Sequence, residues 1–215
     1  MNKKYKCIIF DCDGVLVDSE GISEKVLSEM SLNIGVNLSA HLRDRKYVGK
    51  SFDYIFKHIE KECNIKLPDN FEKLFRVKTF EAFREGIQPI PGVKDLLNEI
   101  HIPFCVASNG PVEKIRLNLE LTGLIDKFEG KIYSAYELQK WKPDPALFLH
   151  AAKQMGFEAQ ECLVIEDSVV GVEAAQAGGF NVLGYVGNQS GHPLGNIDIL
   201  LIRNMKELGH IVNSI

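Results

Sequence analysis

The chain has 215 residues, of which 45% are hydrophobic and 25% charged, and its net charge is −4. That length holds one large domain, or a core with a smaller companion. The slightly acidic balance excludes a general electrostatic grip on nucleic acid or an anionic membrane, so positive charge that holds an anionic ligand must be local. After Met1-Asn2-Lys3-Lys4-Tyr5-Lys6, only four apolar residues precede Asp11. That falls short of a signal peptide, and no segment approaches the roughly 20 apolar residues of a membrane span, so a cytoplasmic protein is expected. The five cysteines form no CxxC pair and the six histidines are scattered, which fits reduced thiols and argues against a zinc site.

Residues 6–10 (KCIIF) form a short apolar run that stops at Asp11-Cys12-Asp13-Gly14. A buried strand delivering acidic residues at its carboxyl end is expected. Ser19-Glu20 suits a helix start, and Ile22, Val26, Leu27 and Met30 follow at helical spacing. Further helices are expected over 51–63 and 71–83, with no strand evident between 19 and 87. At Pro89-Ile90-Pro91-Gly92 the punctuation changes. Helix 93–100, strand 104–108, helix 112–121, segment 132–134, helix 145–155, strand 162–165, helix 169–177 and strand 181–185 then follow. This alternation predicts an α/β fold, a doubly wound parallel sheet of Rossmann-like type covered on both faces. The core is assigned to residues 1–18 and 88–215, and an inserted all-helical segment to 19–87. The Gly-rich stretch 187–196 reads as a surface loop.

The polar residues that matter sit at strand ends: Asp11 and Asp13, then Ser108-Asn109-Gly110, then Glu166-Asp167-Ser168. Open α/β sheets bind ligands there. Four carboxylates converging on one place need a cation, or raised pKa values, to coexist. Lys142, in Trp141-Lys142-Pro143-Asp144-Pro145, is a candidate cation. Taken singly, each has a plainer reading: Ser108 and the Glu166-Asp167 pair as helix caps, Lys142 as a solvated lysine. Cys12 and Trp141 read as structural.

In this order the residues resemble the haloacid dehalogenase superfamily. Asp11-Cys12-Asp13-Gly14-Val15 looks like its DxDGx(V/T) signature, Ser108 after a hydrophobic strand its second motif, Lys142 before Pro143 its third, and Glu166-Asp167 its fourth. The likeness spans essentially the whole chain and narrows to the β-phosphoglucomutase-like group with a helical cap. Residues 106–111 (VASNGP), 140–147 (KWKPDPAL) and 164–168 (VIEDS) are similar to the bacterial 6-phosphogluconate phosphatases.

This resemblance implies a Mg²⁺-dependent phosphomonoester hydrolase. Its expected substrate is a small phosphorylated sugar or sugar acid, with 6-phosphogluconate as the first guess. Asp11 would be the nucleophile that forms an aspartyl-phosphate; Asp13 would protonate the leaving alkoxide and then act as base on water. Ser108, Asn109 and Lys142 would hold phosphate oxygens. Asp11, the main-chain carbonyl of Asp13 and Asp167 would hold the metal, with Glu166 either a ligand or a neighbour that orients one. In the cap, Arg45, Lys46 and Lys50, with Arg76 and Lys78 behind them, are candidates to meet a sugar-acid carboxylate. No nucleic acid, membrane or protein partner is implied, and a monomer is the default.

The nearest rival is a sugar phosphomutase. That group carries a His in the helix after the nucleophile loop, and Ser23 stands nearest its position here, which favours hydrolysis. Asp13 argues against a dehalogenase, and no cap lysine has the context a phosphonatase needs. A non-catalytic phospho-ligand-binding or phosphoacceptor module is the rival from another class, and the intact catalytic set argues against it.

Overall fold

The computed structural model describes residues 5–39, 42, 47, 52–188 and 191–213. Strand β1 (Cys7–Phe10) leads through β2 (Val17–Asp18) into helices α1 (Glu20–Leu32), α2 (Phe52–Cys63) and α3 (Phe71–Gly86). The chain returns through β3 (Gln88–Pro89) to α4 (Val93–Glu99), β4 (Phe104–Ser108), α5 (Val112–Leu121) and α6 (Ile125–Phe128). Then come β5 (Ile132–Ser134), α7 (Ala135–Leu138), α8 (Ala146–Met155), β6 (Cys162–Glu166), α9 (Val169–Ala177), β7 (Asn181–Tyr185), β8 (Leu200–Ile202) and α10 (Met205–Asn213).

Six strands form one parallel sheet in the order β5-β4-β1-β6-β7-β8. β1 lies inside it, with Ile8 opposite Phe104 of β4 and Ile9 opposite Val164 of β6. From β1 the chain steps outward through β4 to β5, then crosses back to β6 on the other side. The strand order therefore reverses beside the carboxyl end of β1, where such sheets open a ligand crevice.

Alternate residues of the central strands feed two cores, which is why these strands read as unbroken apolar runs. Ile8, Phe10, Val106, Leu163 and Ile165 join one cluster, to which α4, α5 and α10 add residues such as Leu97, Leu119 and Leu208. Cys7, Ile9, Cys105, Ala107 and Val164 join the other, closed by Phe148 and Ala151 of α8 and Ala174 of α9. The segment between β2 and β3 has an apolar cluster of its own, including Leu27 and Met30 of α1, Phe56 and Ile59 of α2, and Phe75 of α3. It leaves and rejoins the sheet side by side: β2 and β3 pair antiparallel, with Val17 opposite Pro89 and Asp18 opposite Gln88. Among the described residues no helix is long and apolar enough to cross a membrane.

The structure departs from the sequence-based expectation at the carboxyl end. β8 and α10 extend the alternation beyond residue 185. The stretch 187–196 is more than a surface loop, because Leu194 is fully buried and His192 nearly so. The His192 ring nitrogen accepts the Leu194 N–H at 3.3 Å and pins the turn between β7 and β8.

Phe10, Phe104 and Phe128 meet edge to face, with ring centroids 5.3 to 6.4 Å apart. Phe128 is fully buried, so Phe128→Ala removes the ring and leaves a cavity under β1. Chemical denaturation should show a loss of about 3–5 kcal/mol.

Candidate active site

Asp11 extends β1 by one residue, its amide donating to Ile165 O at 3.0 Å. The chain then turns sharply. Leu16 and Val17 both donate to Cys12 O, and Gly14 donates to Val17 O at 2.9 Å. Gly14 has φ +73°, and a Cβ there would lie 2.1 Å from an Asp167 carboxylate oxygen. Only glycine meets both demands, so the turn closes against the end of β6.

Lys142 comes from the loop between α7 and α8, where its main-chain N–H donates to Asn109 Oδ1 at 3.0 Å. Its ammonium donates to Asp11 Oδ1 at 2.7 Å, Ala107 O at 3.2 Å and Glu166 Oε1 at 2.5 Å. Burial alone would lower its pKa, but Asp11 and Glu166 overcome that and hold it above the ordinary lysine range. Glu166 is wholly buried. Its second oxygen accepts the Ser168 N–H at 3.0 Å and the Ser168 hydroxyl at 2.9 Å. The cap of α9 falls on Ser168, whose hydroxyl accepts the Gly171 N–H, rather than on Asp167. Ser108 Oγ accepts the Gly110 N–H at 3.1 Å, while the N-cap position of α5 is Pro111.

Asp13 is gripped by residues that the sequence pattern did not single out. Lys114 of α5 donates to Oδ2 at 2.7 Å; Ser19 at 2.5 Å and Asn118 at 3.4 Å donate to Oδ1. Burial works to raise the Asp13 pKa, but Lys114 and Ser19 outweigh it and hold the carboxyl below its usual range. A signal was present in the sequence. Lys114 and Asn118 are four residues apart, which places them on one face of a helix beside Ile115 and Leu119, where apolar residues were due.

Asp11, Asp13, Ser108, Asn109, Lys142 and Asp167 all line one cavity of about 130 Å³, with Lys114 beside them. Its far wall carries Leu27, Tyr47, Phe52, Ile55 and Phe75 from the helical segment. Arg76 does not line it. The guanidinium donates to Glu72 and, at 2.7 Å, to the Tyr136 hydroxyl, and lies over the Phe52 and Tyr136 rings. Lys78 is exposed on α3. Arg45, Lys46 and Lys50 lie outside the described residues. Trp141 packs edge-on against Tyr136, ring centroids 5.5 Å apart, and Cys12 is fully buried.

The site holds more negative than positive charge. Four carboxylates against two ammonium groups leave a surplus of two negative charges among Asp11, Asp13, Glu166, Asp167, Lys142 and Lys114. Burial pushes the Asp11 carboxyl up to about 7 against the pull of Lys142, with Glu166 and Asp13 adding to the rise. One oxygen each of Asp11, Glu166 and Asp167 lies within 4.8 Å of the others. An all-oxygen, anionic set of this size fits a hard divalent cation.

The profile of the haloacid dehalogenase-like hydrolases matches residues 5–179. The chain belongs to this family. It is 29% identical over 206 residues to the 6-phosphogluconate phosphatase of Escherichia coli (strain K12), covering 95% of this chain and 93% of that protein. Among solved structures, a haloacid dehalogenase-like protein of Agrobacterium tumefaciens is similar over 98% of both chains, with TM-score 0.85 and 31% identity. A β-phosphoglucomutase of Clostridium difficile shares the fold over 98% of both chains, with TM-score 0.82 at 20% identity.

Within this hydrolase, Gly171 lets α9 pass over Glu166. A Cβ there would sit 1.9 Å from the Glu166 carboxyl carbon. Gly171→Ala should therefore destabilise the fold by about 1–3 kcal/mol. Helix propensity alone predicts the opposite sign, a gain of about 1 kcal/mol. Thermal unfolding decides between the two, and turnover should fall with stability because Glu166 holds Lys142.

Proposed function

We propose that this hydrolase is a phosphomonoesterase that works through an aspartyl-phosphate on Asp11 with Mg²⁺ as cofactor. The observation that carries this is the convergence of Asp11, Asp13, Ser108, Lys142 and Asp167 on one cavity at the switch point of the sheet. Attack on a phosphate dianion by a carboxylate needs the charge between them neutralised. Lys142 supplies one buried positive charge beside Asp11. Ser108, with the adjacent Asn109 amide, would donate to phosphate oxygens. Asp13 would protonate the leaving alkoxide, then take a proton from the water that cleaves the aspartyl-phosphate.

Asp11, the Asp13 main-chain carbonyl and Asp167 would hold Mg²⁺. Glu166, with both oxygens occupied by Lys142 and Ser168, orients the cluster from behind. When bound, the ion would neutralise part of the phosphate charge. The helical segment 19–87 would serve as a cap over the cavity, its apolar wall keeping bulk water from the reacting groups.

The substrate class is a small phosphorylated sugar or sugar acid, with 6-phosphogluconate tested first. The likeness to the Escherichia coli 6-phosphogluconate phosphatase supports that choice. The cation for a sugar-acid carboxylate is assigned to Arg45, Lys46 or Lys50. Neither Arg76 nor Lys78 lines the cavity.

Phosphate release with Mg²⁺ should be measured across 6-phosphogluconate, hexose 6-phosphates, β-glucose 1-phosphate, phosphoglycolate and nucleotides. Selective release from 6-phosphogluconate is the expected result, whereas isomerisation of β-glucose 1-phosphate would identify a mutase. Asp11→Asn should abolish turnover and leave the circular dichroism spectrum unchanged; residual activity at wild-type level would refute covalent catalysis at Asp11. Chelation should remove activity, and added Mg²⁺ should restore it.

A further inference from the structure

We propose that Lys114, assisted by Ser19 and Asn118, is a positioning residue that fixes the Asp13 carboxyl group for both of its proton transfers; this rests on the phosphatase reading above. A buried ammonium is costly unless it is paired. The Lys114 side chain is 10% exposed, and its ion-pair partner is Asp13, 101 residues away in sequence. Its stem is confined: a Cβ on Gly110 would come within 3.4 Å of Lys114 Cδ, and the ammonium lies 5.9 Å from the Phe83 ring centroid. Asn118, one turn further along α5, is fully buried and aims its amide at Asp13. Ser19 reaches Asp13 from the opposite end of the turn that begins at Cys12.

The Asp13 carboxyl is thus held at both oxygens, Oδ2 by Lys114 and Oδ1 by Ser19 and Asn118. Rotating it breaks all three contacts together. Lys142 serves Asp11 in the same way, so the two lysines divide the aspartate pair between them. The division suits two different tasks at one phosphorus. As Asp11 bonds to phosphorus, the bond to the ester oxygen breaks and that oxygen takes the Asp13 proton. Water then attacks phosphorus and gives its proton to Asp13 as the Asp11–phosphorus linkage breaks, releasing phosphate and restoring both residues. Each transfer needs Asp13 at hydrogen-bond distance from the moving proton. A carboxyl group keeps an acceptor oxygen whether protonated or not, so Lys114 can grip it through the whole cycle.

The test compares two esters with Mg²⁺ and the full chain in single-turnover experiments. One is the alkyl phosphate that the wild type hydrolyses best. The other is 4-nitrophenyl phosphate, whose leaving group departs without a proton. Lys114→Met should slow the first turnover of the alkyl ester by about 100-fold, the scale of general acid catalysis. The burst of 4-nitrophenolate should be little changed. Ser19→Ala should show the same pattern in smaller measure, and Lys114→Arg should restore part of the alkyl rate. Equal losses on both esters, or a raised KM alone, would make Lys114 a phosphate-binding cation and overturn the proposal; so would no loss on either. If Lys114→Met does not fold, Ser19→Ala carries the same comparison, and equal losses or no loss on the two esters overturn the proposal there as well. A wild type that releases phosphate from neither ester sinks the phosphatase reading itself, a failure visible before any variant is compared.

Discussion

A single buried ammonium organises this protein. Lys142 donates to Asp11 beyond β1, to Ala107 in β4 and to Glu166 at the end of β6, so one cation ties the carboxyl ends of three adjacent strands. Charges buried in this way contribute little net stability, since desolvation offsets most of the attraction. What they impose is geometry, because removing either partner leaves an uncompensated charge. Asn109 holds the Lys142 backbone, Ser168 holds the far side of Glu166, and the missing side chain of Gly171 leaves room for the Glu166 carboxylate.

The surplus of negative charge follows from the same arrangement. Parallel strands deliver their carboxyl ends to one edge, and this sequence ends β1 and β6 with acidic residues. Lys142 and Lys114 compensate in part, from loops and helices on different sides of the crevice. Burial raises the Asp11 carboxyl, and the uncompensated charge of Glu166 and Asp13 adds to that rise. An apolar wall opposite the carboxylates strengthens every electrostatic interaction in the cavity by lowering the local dielectric.

Much of the sheet was legible because buried parallel strands leave short, unbroken apolar runs such as 7–10 and 162–165, each followed by acid. The convergence of Asp11, Ser108 and Asp167 followed from strand ends, whereas Lys142 reaches them from the loop between α7 and α8 and was singled out by its likeness to the family's third motif. Asp13 was legible, but its anchors carried a weaker signal: Lys114 and Asn118 interrupt the apolar face of their helix beside Ile115 and Leu119, and nothing in the sequence names the carboxylate they meet. β2 and β3 were too short to carry any periodicity, and β8 hid behind a Gly-rich stretch whose Leu194 turned out to be core. Arg76 misled for a different reason: its charge suits an anion, but Glu72 and the Tyr136 hydroxyl already occupy it.

The pairing of β2 with β3 has a consequence for how such a chain can diversify. Because Val17 and Pro89 are neighbours, the two ends of the helical excursion are already joined before any of its residues is chosen. The entropy of closing a loop grows only slowly with its length. The sheet is therefore almost indifferent to how many residues lie between these strands, and to their sequence, provided the excursion can build its own apolar interior as this one does. Variation can accumulate there at small cost to the sheet, so the wall that this segment presents to the cavity can be rewritten while the charged groups at the strand ends stay in place.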